Sequence, residues 1–308
     1  MISPLASVVI PTRNRPSALE SCLDALAAQT LARGSFEVIV VDDGSTHPIQ
    51  LDPKKWAPNF ELKYIRQQNT GPAGARNRGA AEARGEYLVF TDDDCLPTPT
   101  WLENLIATLR RYPEGLVGGT TLNGLRGNTF SETSQLVVEM VYEHFNRNPS
   151  DSYFFASNNI ALRREHYLAV GGFDSDFGPT ASEDRDFCDR WRMTGKPLVW
   201  QKIAVVEHRH SQSLTSFCSI CFRYGQGAYF YALKRRLRGS GTMADDFGFH
   251  LRLPVRSLRK LIRYRLLART RISANLVLWQ AMNAIGFCTA WWRTGSRSPS
   301  SANISHLA

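Results

Sequence analysis

Three consecutive aspartates, Asp92, Asp93 and Asp94, follow the apolar run at residues 87–90. Adjacent carboxylates repel one another, and this repulsion is costly unless solvent or a cation offsets it. Mg²⁺ and Mn²⁺ prefer oxygen ligands and keep coordination positions open for water and for substrate phosphates. The triplet therefore predicts a site for Mg²⁺ or Mn²⁺, and a solvated acidic turn is the alternative.

The surrounding pattern indicates which elements position these carboxylates. Two β-branched runs at residues 7–10 and 36–41 flank a helical stretch at 16–29, an Ala-rich segment at 74–83 precedes the third run, and a helix is expected at 99–111. The economical interpretation is an α/β sheet with parallel strands, in which ligands bind beyond the carboxyl ends of the strands. Each run ends in polar residues, namely Pro11-Thr12-Arg13-Asn14, Asp42-Asp43-Gly44-Ser45 and Thr91-Asp92-Asp93-Asp94. These residues are expected at one edge of the sheet, although the second group alone could equally be a strand-ending turn.

Length and composition limit the class of protein. The chain has 308 residues, of which 43% are hydrophobic and 21% are charged, which is typical of a globular protein and excludes a disordered or collagenous chain. The six cysteines are scattered, and no second pair accompanies Cys218 and Cys221 at the spacing of a zinc finger, so buried or idle thiols are expected. The sequence starts without the pattern of a signal peptide, which predicts a cytoplasmic location.

Several segments resemble the family 2 glycosyltransferases. They are Ser-Val-Val-Ile-Pro-Thr-Arg-Asn at 7–14, Val-Ile-Val-Val-Asp-Asp-Gly-Ser at 38–45, Gly-Pro-Ala-Gly-Ala-Arg-Asn-Arg-Gly at 71–79, Phe-Thr-Asp-Asp-Asp at 90–94, Gly-Gly-Phe-Asp at 171–174 and Ser-Glu-Asp-Arg-Asp at 182–186. The resemblance implies the GT-A fold, an α/β, Rossmann-like mixed sheet flanked by helices. It also implies a nucleotide-diphosphate sugar as the donor, UDP-sugar first, and inversion at the anomeric carbon. We therefore predict a GT-A catalytic domain at 1–210 and a basic helical C-terminal extension at 211–308, with a disordered tail from about residue 295.

The resemblance also implies a donor site. The residues implied to bind the nucleotide sugar are Pro11, Thr12, Arg13, Asp43, Arg76, Asp92 and Asp93. Asp43 would accept a hydrogen bond from the base, Asp42 would be structural, and a surface arginine is the alternative for Arg76. Asp92 and Asp94 match the D-x-D pattern that holds the metal against the diphosphate, whereas Asp93 is expected to support the turn.

The catalytic base is expected in the second half of this domain. Thr180-Ala-Ser-Glu183 predicts a capping box that begins a helix. Asp184 would then share a helix face with Phe187, Cys188 and Trp191, which should turn towards the protein. The favourable interaction of acidic residues with a helix N-terminus is one explanation of this carboxylate. The resemblance implies another, in which Asp184 is the general base that deprotonates the acceptor hydroxyl as its oxygen attacks C1.

Further polar residues are implied to complete the site. His208 and His210 alternate at the end of an apolar strand. The resemblance implies that His208 is a metal ligand, and a hydrogen-bonded structural histidine is the equal alternative. Ser157, Asn158, Asn159 and Glu183 are implied on the acceptor side, where simple polarity of an edge strand is the alternative.

The C-terminal third differs in charge from the rest of the chain. Residues 1–208 carry a net charge of −5 and residues 209–308 carry +14. Between residues 255 and 264 a helical wheel separates Val255, Leu258, Leu261 and Ile262 from Arg256, Arg259, Lys260 and Arg263. Such a helix can lie in the plane of an anionic leaflet, whereas residues 276–292 are at the short limit for spanning a bilayer. The alternative is that these helices pack on the catalytic domain with solvated arginines outside. Since no recognition module is visible, no nucleic acid is expected as a partner.

These features together predict a function. We expect a metal-dependent inverting glycosyltransferase of cell-envelope or exopolysaccharide synthesis, peripheral on the inner face of the cell membrane, with a carbohydrate or lipid-linked acceptor. A catalytically silent nucleotide-sugar-binding module is the first alternative, and a nucleic-acid-binding protein is the second. The presence of both Asp94 and Asp184 argues against the silent module.

Overall fold

The computed structural model describes residues 3–295, apart from the side chains of residues 244–247 and 295. The disordered tail that the sequence predicts from about residue 295 lies outside the described residues.

Eight strands in the described part of the chain form one mixed sheet. They are β1 (Ala6–Thr12), β2 (Phe36–Asp43), β3 (Glu61–Gln67), β4 (Tyr87–Thr91), β5 (Cys95–Pro97), β6 (Leu116–Asn123), β7 (Asn159–Arg163) and β8 (Leu198–His208). Their order is β3-β2-β1-β4-β7-β6-β8-β5. The pairs among β3, β2, β1 and β4 are parallel, as is β6 with β8, whereas β7 and β5 run antiparallel to their neighbours.

Helices cover both faces of this sheet and form the C-terminal region. They are α1 (Pro16–Ala27), α2 (Gly71–Ala81), α3 (Trp101–Arg111), α4 (Thr129–Phe145), α5 (Arg164–Val170), α6 (Glu183–Met193), α7 (Leu214–Arg238), α8 (Met243–Leu261) and α9 (Leu266–Gly295). Short 3₁₀ turns occupy Pro53–Lys55 and Ser175–Phe177. The predicted runs at 7–10, 36–41 and 87–90 are confirmed as β1, β2 and β4, and the helices predicted at 16–29 and 99–111 are confirmed as α1 and α3.

The strands next to the centre are apolar on both faces because helices cover each side. Val8 and Ile10 of β1 belong to a core shared with α1 and α3, and Val9 belongs to a second core shared with α2, α5 and α6. Helix α2 lies so close to β1 that a Cβ on Gly79 would stand 2.3 Å from Cγ1 of Val9. This packing fixes the N-terminal end of α2 beside the carboxyl ends of β1 and β2.

The C-terminal helices pack on α4 around a third apolar cluster. Its members include Met140, Phe217, Leu253, Ile272 and Trp279. The helix predicted from residue 255 is the second half of α8, but Leu261 is buried in this cluster and does not share the exposed side of Val255, Leu258 and Ile262. Among residues 3–295, no helix is both long enough and apolar enough to cross a bilayer.

Candidate active site

The carboxyl ends of β1, β2 and β4 meet at one edge of the sheet, as the sequence predicts. A cavity of about 850 Å³ opens there. Its lining includes most of the predicted site residues, namely Pro11, Thr12, Arg13, Asp43, Arg76, Asp92, Asp93, Asp94, Asn158, Glu183 and His208. Ser157, Asn159 and Asp184 do not belong to this lining.

The two aspartates at the end of β2 have different surroundings. Asp42 is fully buried, and its carboxylate accepts hydrogen bonds from Ser45 N at 2.8 Å and from the Tyr64 hydroxyl at 2.6 Å. Asp43 borders the cavity and accepts from Thr70 N and Gly71 N, both at 2.8 Å. Asp42 therefore closes the strand-ending turn, while Asp43 ties that turn to the start of α2.

The aspartates after β4 point to three different sets of partners. Asp92 accepts from Arg76 at 2.7 Å. Asp93 accepts from the Thr12 hydroxyl at 2.7 Å, and Arg15 reaches both Asp93 at 3.0 Å and Asp94 at 2.8 Å. Burial raises the pKa of Asp93 to about 6, although Arg15 opposes the shift. The triplet thus divides, and its middle member joins β1 to the end of β4.

Asp94 lies between two histidines. His208 Nε2 is 3.2 Å from Asp94 Oδ1, and His210 Nδ1 is 3.1 Å from Oδ2. Burial alone would raise the pKa of Asp94, but hydrogen bonds to His208 and His210 and the charge of Arg15 lower it. Burial alone would lower the pKa of His208, and Asp94 raises it above its ordinary value. This group is therefore an anionic centre with imidazole nitrogens close by.

Ligand atoms of Asp94, Cys95 and His208 lie within 4.8 Å of one another, which is close enough for one metal ion. Burial raises the pKa of the Cys95 thiol well above its ordinary value, and a thiol is a soft ligand that Mg²⁺ and Mn²⁺ do not prefer. Oxygen and imidazole nitrogen remain, and these suit Mn²⁺ and, through the carboxylate, Mg²⁺. The residues present therefore fit a divalent cation held by Asp94 with His208.

Arg76 joins Asp92, after the end of β4, to the acidic pair Glu183 and Asp184 at the start of α6. Its side chain is 4% exposed, and Nη2 lies 2.7 Å from Asp92 while Nη1 lies 3.0 Å from Glu183. Its guanidinium also lies over the ring of Phe173 at 5.6 Å. Burial and the charge of Asp184 raise the pKa of Glu183 to about 7, and Arg76 opposes the shift. Arg76 is thus a buried cation shared by two carboxylates that are distant in sequence.

The helix that carries the acidic pair does not start with the predicted capping box. It begins at Glu183 after Ser182, and the Thr180 hydroxyl instead donates to Phe177 O at 2.5 Å. Ser182 has a φ of 95°, a left-handed conformation that costs energy for a residue other than glycine. Helix α7 packs tightly on this segment, since a Cβ on Gly227 would stand 1.8 Å from Ala181 O. The capping-box prediction is wrong because the Thr180 hydroxyl bonds to Phe177 O and because Ser182, the residue before the helix, makes no side-chain capping bond.

Asp184 lies on the inner side of α6. Phe187, Cys188 and Trp191 are buried, as the helical spacing predicts. Asp184 itself is half-buried, and its Oδ1 accepts from Arg185 N at 2.8 Å. Burial raises the pKa of Asp184. Burial and the charge of Asp184 together raise the pKa of Tyr224, which borders the cavity. Asp184 follows Glu183, which lines the cavity, and its role as base stays a prediction.

The three polar residues around the start of β7 divide between cavity and core. Asn158 borders the cavity and accepts from the Thr121 hydroxyl at 3.2 Å. Asn159 is fully buried: it accepts from Trp101 Nε1 at 2.8 Å and donates to Thr120 O and Ala204 O, both at 3.1 Å. These bonds hold Asn159 within the fold, and its acceptor role stays a prediction. Ser157 is buried beside the lining, and its acceptor role stays a prediction.

Sequence reasoning missed several residues of the cavity. They are Arg15, Gln212, Ile220, Arg223 and Tyr224. Arg15 lies two residues after Arg13 in the polar segment that follows β1, and this position could have predicted it. The others come from the segment after β8 and from α7, whose sequence pattern predicts a basic helical region and not a part of the site. Arg223 and Tyr224 are exposed at the cavity and add a cation and an aromatic ring to it.

The mixed sheet, with its cavity at the carboxyl ends of β1, β2 and β4, has the GT-A fold that the resemblance implies. The structure resembles mannosyltransferase PcManGT from Pyrobaculum calidifontis in complex with GDP-Man and Mn²⁺, with a TM-score of 0.67, 21% identity, and coverage of 95% of this chain and 88% of that one. It also resembles S. aureus TarS in complex with UDP-GlcNAc, with a TM-score of 0.57, 18% identity, and coverage of 94% and 92%. At these identities the likeness shows the fold.

The family follows from the sequence comparison. Residues 7–171 match the model of glycosyl transferase family 2, and the chain belongs to this family. It is 30% identical over 254 residues to validoxylamine A glucosyltransferase of Streptomyces hygroscopicus subsp. jinggangensis, covering 72% of this chain and 60% of the relative. It is 29% identical over 231 residues to pre-mycofactocin glycosyltransferase of Mycobacterium tuberculosis, covering 72% and 46%. The chain thus spans about half to three-fifths of these relatives.

Proposed function

We propose that this protein is an inverting glycosyltransferase that moves a sugar from a nucleotide-diphosphate sugar, with UDP-sugar favoured, to a hydroxyl acceptor in cell-envelope or exopolysaccharide synthesis. Membership of family 2 supports sugar transfer from a nucleotide sugar. The observation that carries the proposal is the arrangement at the cavity, where Asp94 and its histidines lie on the donor side and Arg76 connects Asp92 to Glu183.

The donor side supplies charge for the nucleotide diphosphate. We propose that Asp94 and His208 hold Mg²⁺ or Mn²⁺, which when bound would balance the charge of the departing diphosphate. Arg13 is exposed on the cavity, and no ion pair is recorded for it among the described residues. It is therefore available to an anionic ligand, whereas Arg15 and Arg76 already neutralise carboxylates.

The acceptor side supplies the base. We propose that Asp184 takes the proton of the acceptor hydroxyl as that oxygen attacks C1, and that the bond from C1 to the diphosphate oxygen breaks in the same displacement. One base and no covalent glycosyl-enzyme suffice for inversion. A raised pKa makes a carboxylate a better proton acceptor, and burial raises that of Asp184. Glu183 and Asn158 would position the acceptor at the cavity wall.

The test is a donor screen that measures nucleotide release with and without EDTA, against lipid-linked and soluble acceptors. Asp94→Asn should abolish metal-dependent binding of the nucleotide diphosphate in calorimetry and leave the fold intact by circular dichroism. Asp24→Asn is the matched control, because Asp24 pairs with Lys55 and does not line the cavity. Unchanged donor affinity in Asp94→Asn, or full turnover in EDTA, would remove the metal from the mechanism.

We further propose a peripheral location on the cytoplasmic face of an anionic membrane, with a lipid-linked acceptor. The net charge of +14 on residues 209–308 supports attraction to an anionic leaflet. The test is co-sedimentation of the full chain with phosphatidylglycerol vesicles at varied salt. A protein that stays in the supernatant even at low ionic strength would overturn this location and favour a soluble acceptor.

A further inference from the structure

Helix α8 has apolar residues on two opposite sides. Phe249, Leu253 and Leu261 are buried against α4 and α9. On the other side an apolar ridge remains exposed, with relative exposures of 66% for Leu251, 62% for Val255, 65% for Leu258 and 71% for Ile262, which follows the helix end. The spacing of four, three and four residues lines these side chains up along one face. The ridge therefore stands in solvent, on the side of the helix opposite to Phe249, Leu253 and Leu261.

Three arginines near this ridge form no ion pair with a described residue, although the charge of Glu143 acts on one of them, Arg256. Arg147 follows α4, and Arg252 and Arg256 belong to α8; none has a recorded ion pair within the described residues. Their neighbours differ, since Lys260 and Arg263 both pair with Glu139. Burial and the charges of Arg147 and Arg252 lower the pKa of Arg256, whose buried Nη1 has no hydrogen-bond partner. We call these three residues the arginine triad.

The triad and the ridge together match one kind of partner. Phosphate offsets the repulsion between neighbouring arginines, because its negative charge attracts them and its oxygens accept their hydrogen bonds in a planar, often bidentate geometry. Exposed aliphatic side chains are relieved by an apolar phase. An anionic bilayer offers both within a few ångströms of depth, since an amphipathic helix lies at the boundary between headgroups and acyl chains.

We propose that the arginine triad binds the phosphates of an anionic phospholipid leaflet while the apolar ridge enters the boundary between headgroups and acyl chains. This inference rests on the proposed membrane location and specifies the face that docks. It also gives the docked protein an orientation. Helix α4 packs against α8 and also lines the cavity through Ser131, Gln135 and Val138. Docking through the ridge therefore places the leaflet against the side of α8 that faces away from α4.

The test compares variants of the full chain in sedimentation with vesicles of phosphatidylglycerol or of phosphatidylcholine. The triad variant combines Arg147→Gln, Arg252→Gln and Arg256→Gln. The control variant removes the same charge from distant exposed positions by Arg33→Gln, Lys54→Gln and Arg110→Gln. The ridge variant combines Val255→Ser, Leu258→Ser and Ile262→Ser. Inorganic phosphate is added as a competitor in a parallel series.

Each basic residue near an anionic surface contributes about fivefold to partitioning, so the triad variant should bind phosphatidylglycerol on the order of 100-fold more weakly. The control variant should lose less than about fivefold. The ridge variant should lose on the order of tenfold even at low salt. Inorganic phosphate should weaken binding only slightly, because it cannot hold the ridge.

Three outcomes would overturn the proposal. Equal losses in the triad and control variants would show diffuse attraction, an unchanged ridge variant would show that no side chain enters the leaflet, and a dimer that the ridge variant abolishes would assign the face to a second copy. Binding of UDP or GDP without vesicles, followed by calorimetry, separates the two proposals. Intact nucleotide binding with failed docking refutes the docking face alone, and the reverse result refutes the catalytic function alone.

Discussion

The cavity edge and the outer face of α8 both collect arginines, but the fold treats them in opposite ways. At the cavity, Arg15 and Arg76 each meet two carboxylates within 3.0 Å. On α8, Arg252 and Arg256 meet none in the described part of the chain, and apolar side chains next to them stay exposed. A site that must hold reacting groups in place neutralises its charges internally. A face that waits for an external partner leaves them open.

The internal arrangement is not a source of stability in itself. Removing charges from water costs several kcal/mol per ion, and a buried pair often does no better than well-packed apolar residues. Arg76 is useful because its two partners come from different elements: Asp92 follows β4, and Glu183 begins α6. The pairing therefore fixes the distance between Asp92 and Glu183. Catalysis needs groups that are held in such a fixed geometry.

The largest effect that separates the two regions is expected for the base. Asp184→Asn should leave donor binding intact and lower transfer by about 10² to 10⁴, the usual range for a lost general base. Arg259→Gln, on α8, should leave transfer to a soluble acceptor unchanged, because Arg259 is exposed and away from the cavity. Rates from single-turnover nucleotide release check both variants. A near-normal kcat in Asp184→Asn, or retention of anomeric configuration in the product by NMR, would contradict the assignment.

The same substitution in both regions tests the contrast in charge pairing. Arg76→Met leaves Asp92 and Glu183 without their cation and should lower the free energy of unfolding by about 3–5 kcal/mol. Arg252→Met should change it by less than about 0.5 kcal/mol, because no pair is broken. Urea titrations followed by circular dichroism measure both. Similar losses of unfolding free energy in the two variants would mean that Arg76 and Arg252 do not differ in charge pairing.

How far the sequence predicts this molecule depends on the range of the interactions involved. Strands β1, β2 and β4 and helices α1 and α3 follow from periodicity within each segment, and their ends differ from the predictions by only a few residues. The insertion of antiparallel β7 between β4 and β6 does not follow from local pattern, because it depends on pairing between segments far apart in the chain. The mixed sheet was predictable only through the resemblance to a family.

The site shows the same limit. Thr12, Asp43 and Asp94 could be found because parallel strands bring their carboxyl ends together. Tyr224 could not, since its place at the cavity depends on how α7 packs against the segment before α6. The capping box failed because Thr180 donates to Phe177 O, a bond set by the 3₁₀ turn that precedes it.

Asn158 and Asn159 allow a smaller test of which polar residues belong to the cavity. Asn159→Ala leaves Trp101 Nε1 without its acceptor and should lower the free energy of unfolding by about 1–3 kcal/mol. Asn158→Ala should cost less stability and instead raise the KM for the acceptor. Thermal unfolding and initial rates at varied acceptor measure the two effects. A stable Asn159→Ala variant with a raised KM would return Asn159 to the acceptor site.

The last expected effect, small within any one pH unit, is the pH dependence of stability that Glu183 contributes. Its pKa is raised to about 7, first by burial and then by the charge of Asp184, so between its unfolded value of 4.5 and about 7 the folded protein holds a proton that the unfolded chain releases. Stability therefore falls as pH rises through this window, by at most about 1.4 kcal/mol per pH unit for one group. His208, whose pKa is also raised, adds a decrease of the same sign above pH 6.5, so only the difference between variants isolates Glu183.

Glu183→Gln should flatten the profile of Tm between pH 5 and about 7, whereas Glu143→Gln, next to Lys260 of α8, should leave it unchanged. An equal slope in Glu183→Gln and in the unchanged protein would mean that the proton lies elsewhere and that Arg76 keeps Glu183 ionised throughout.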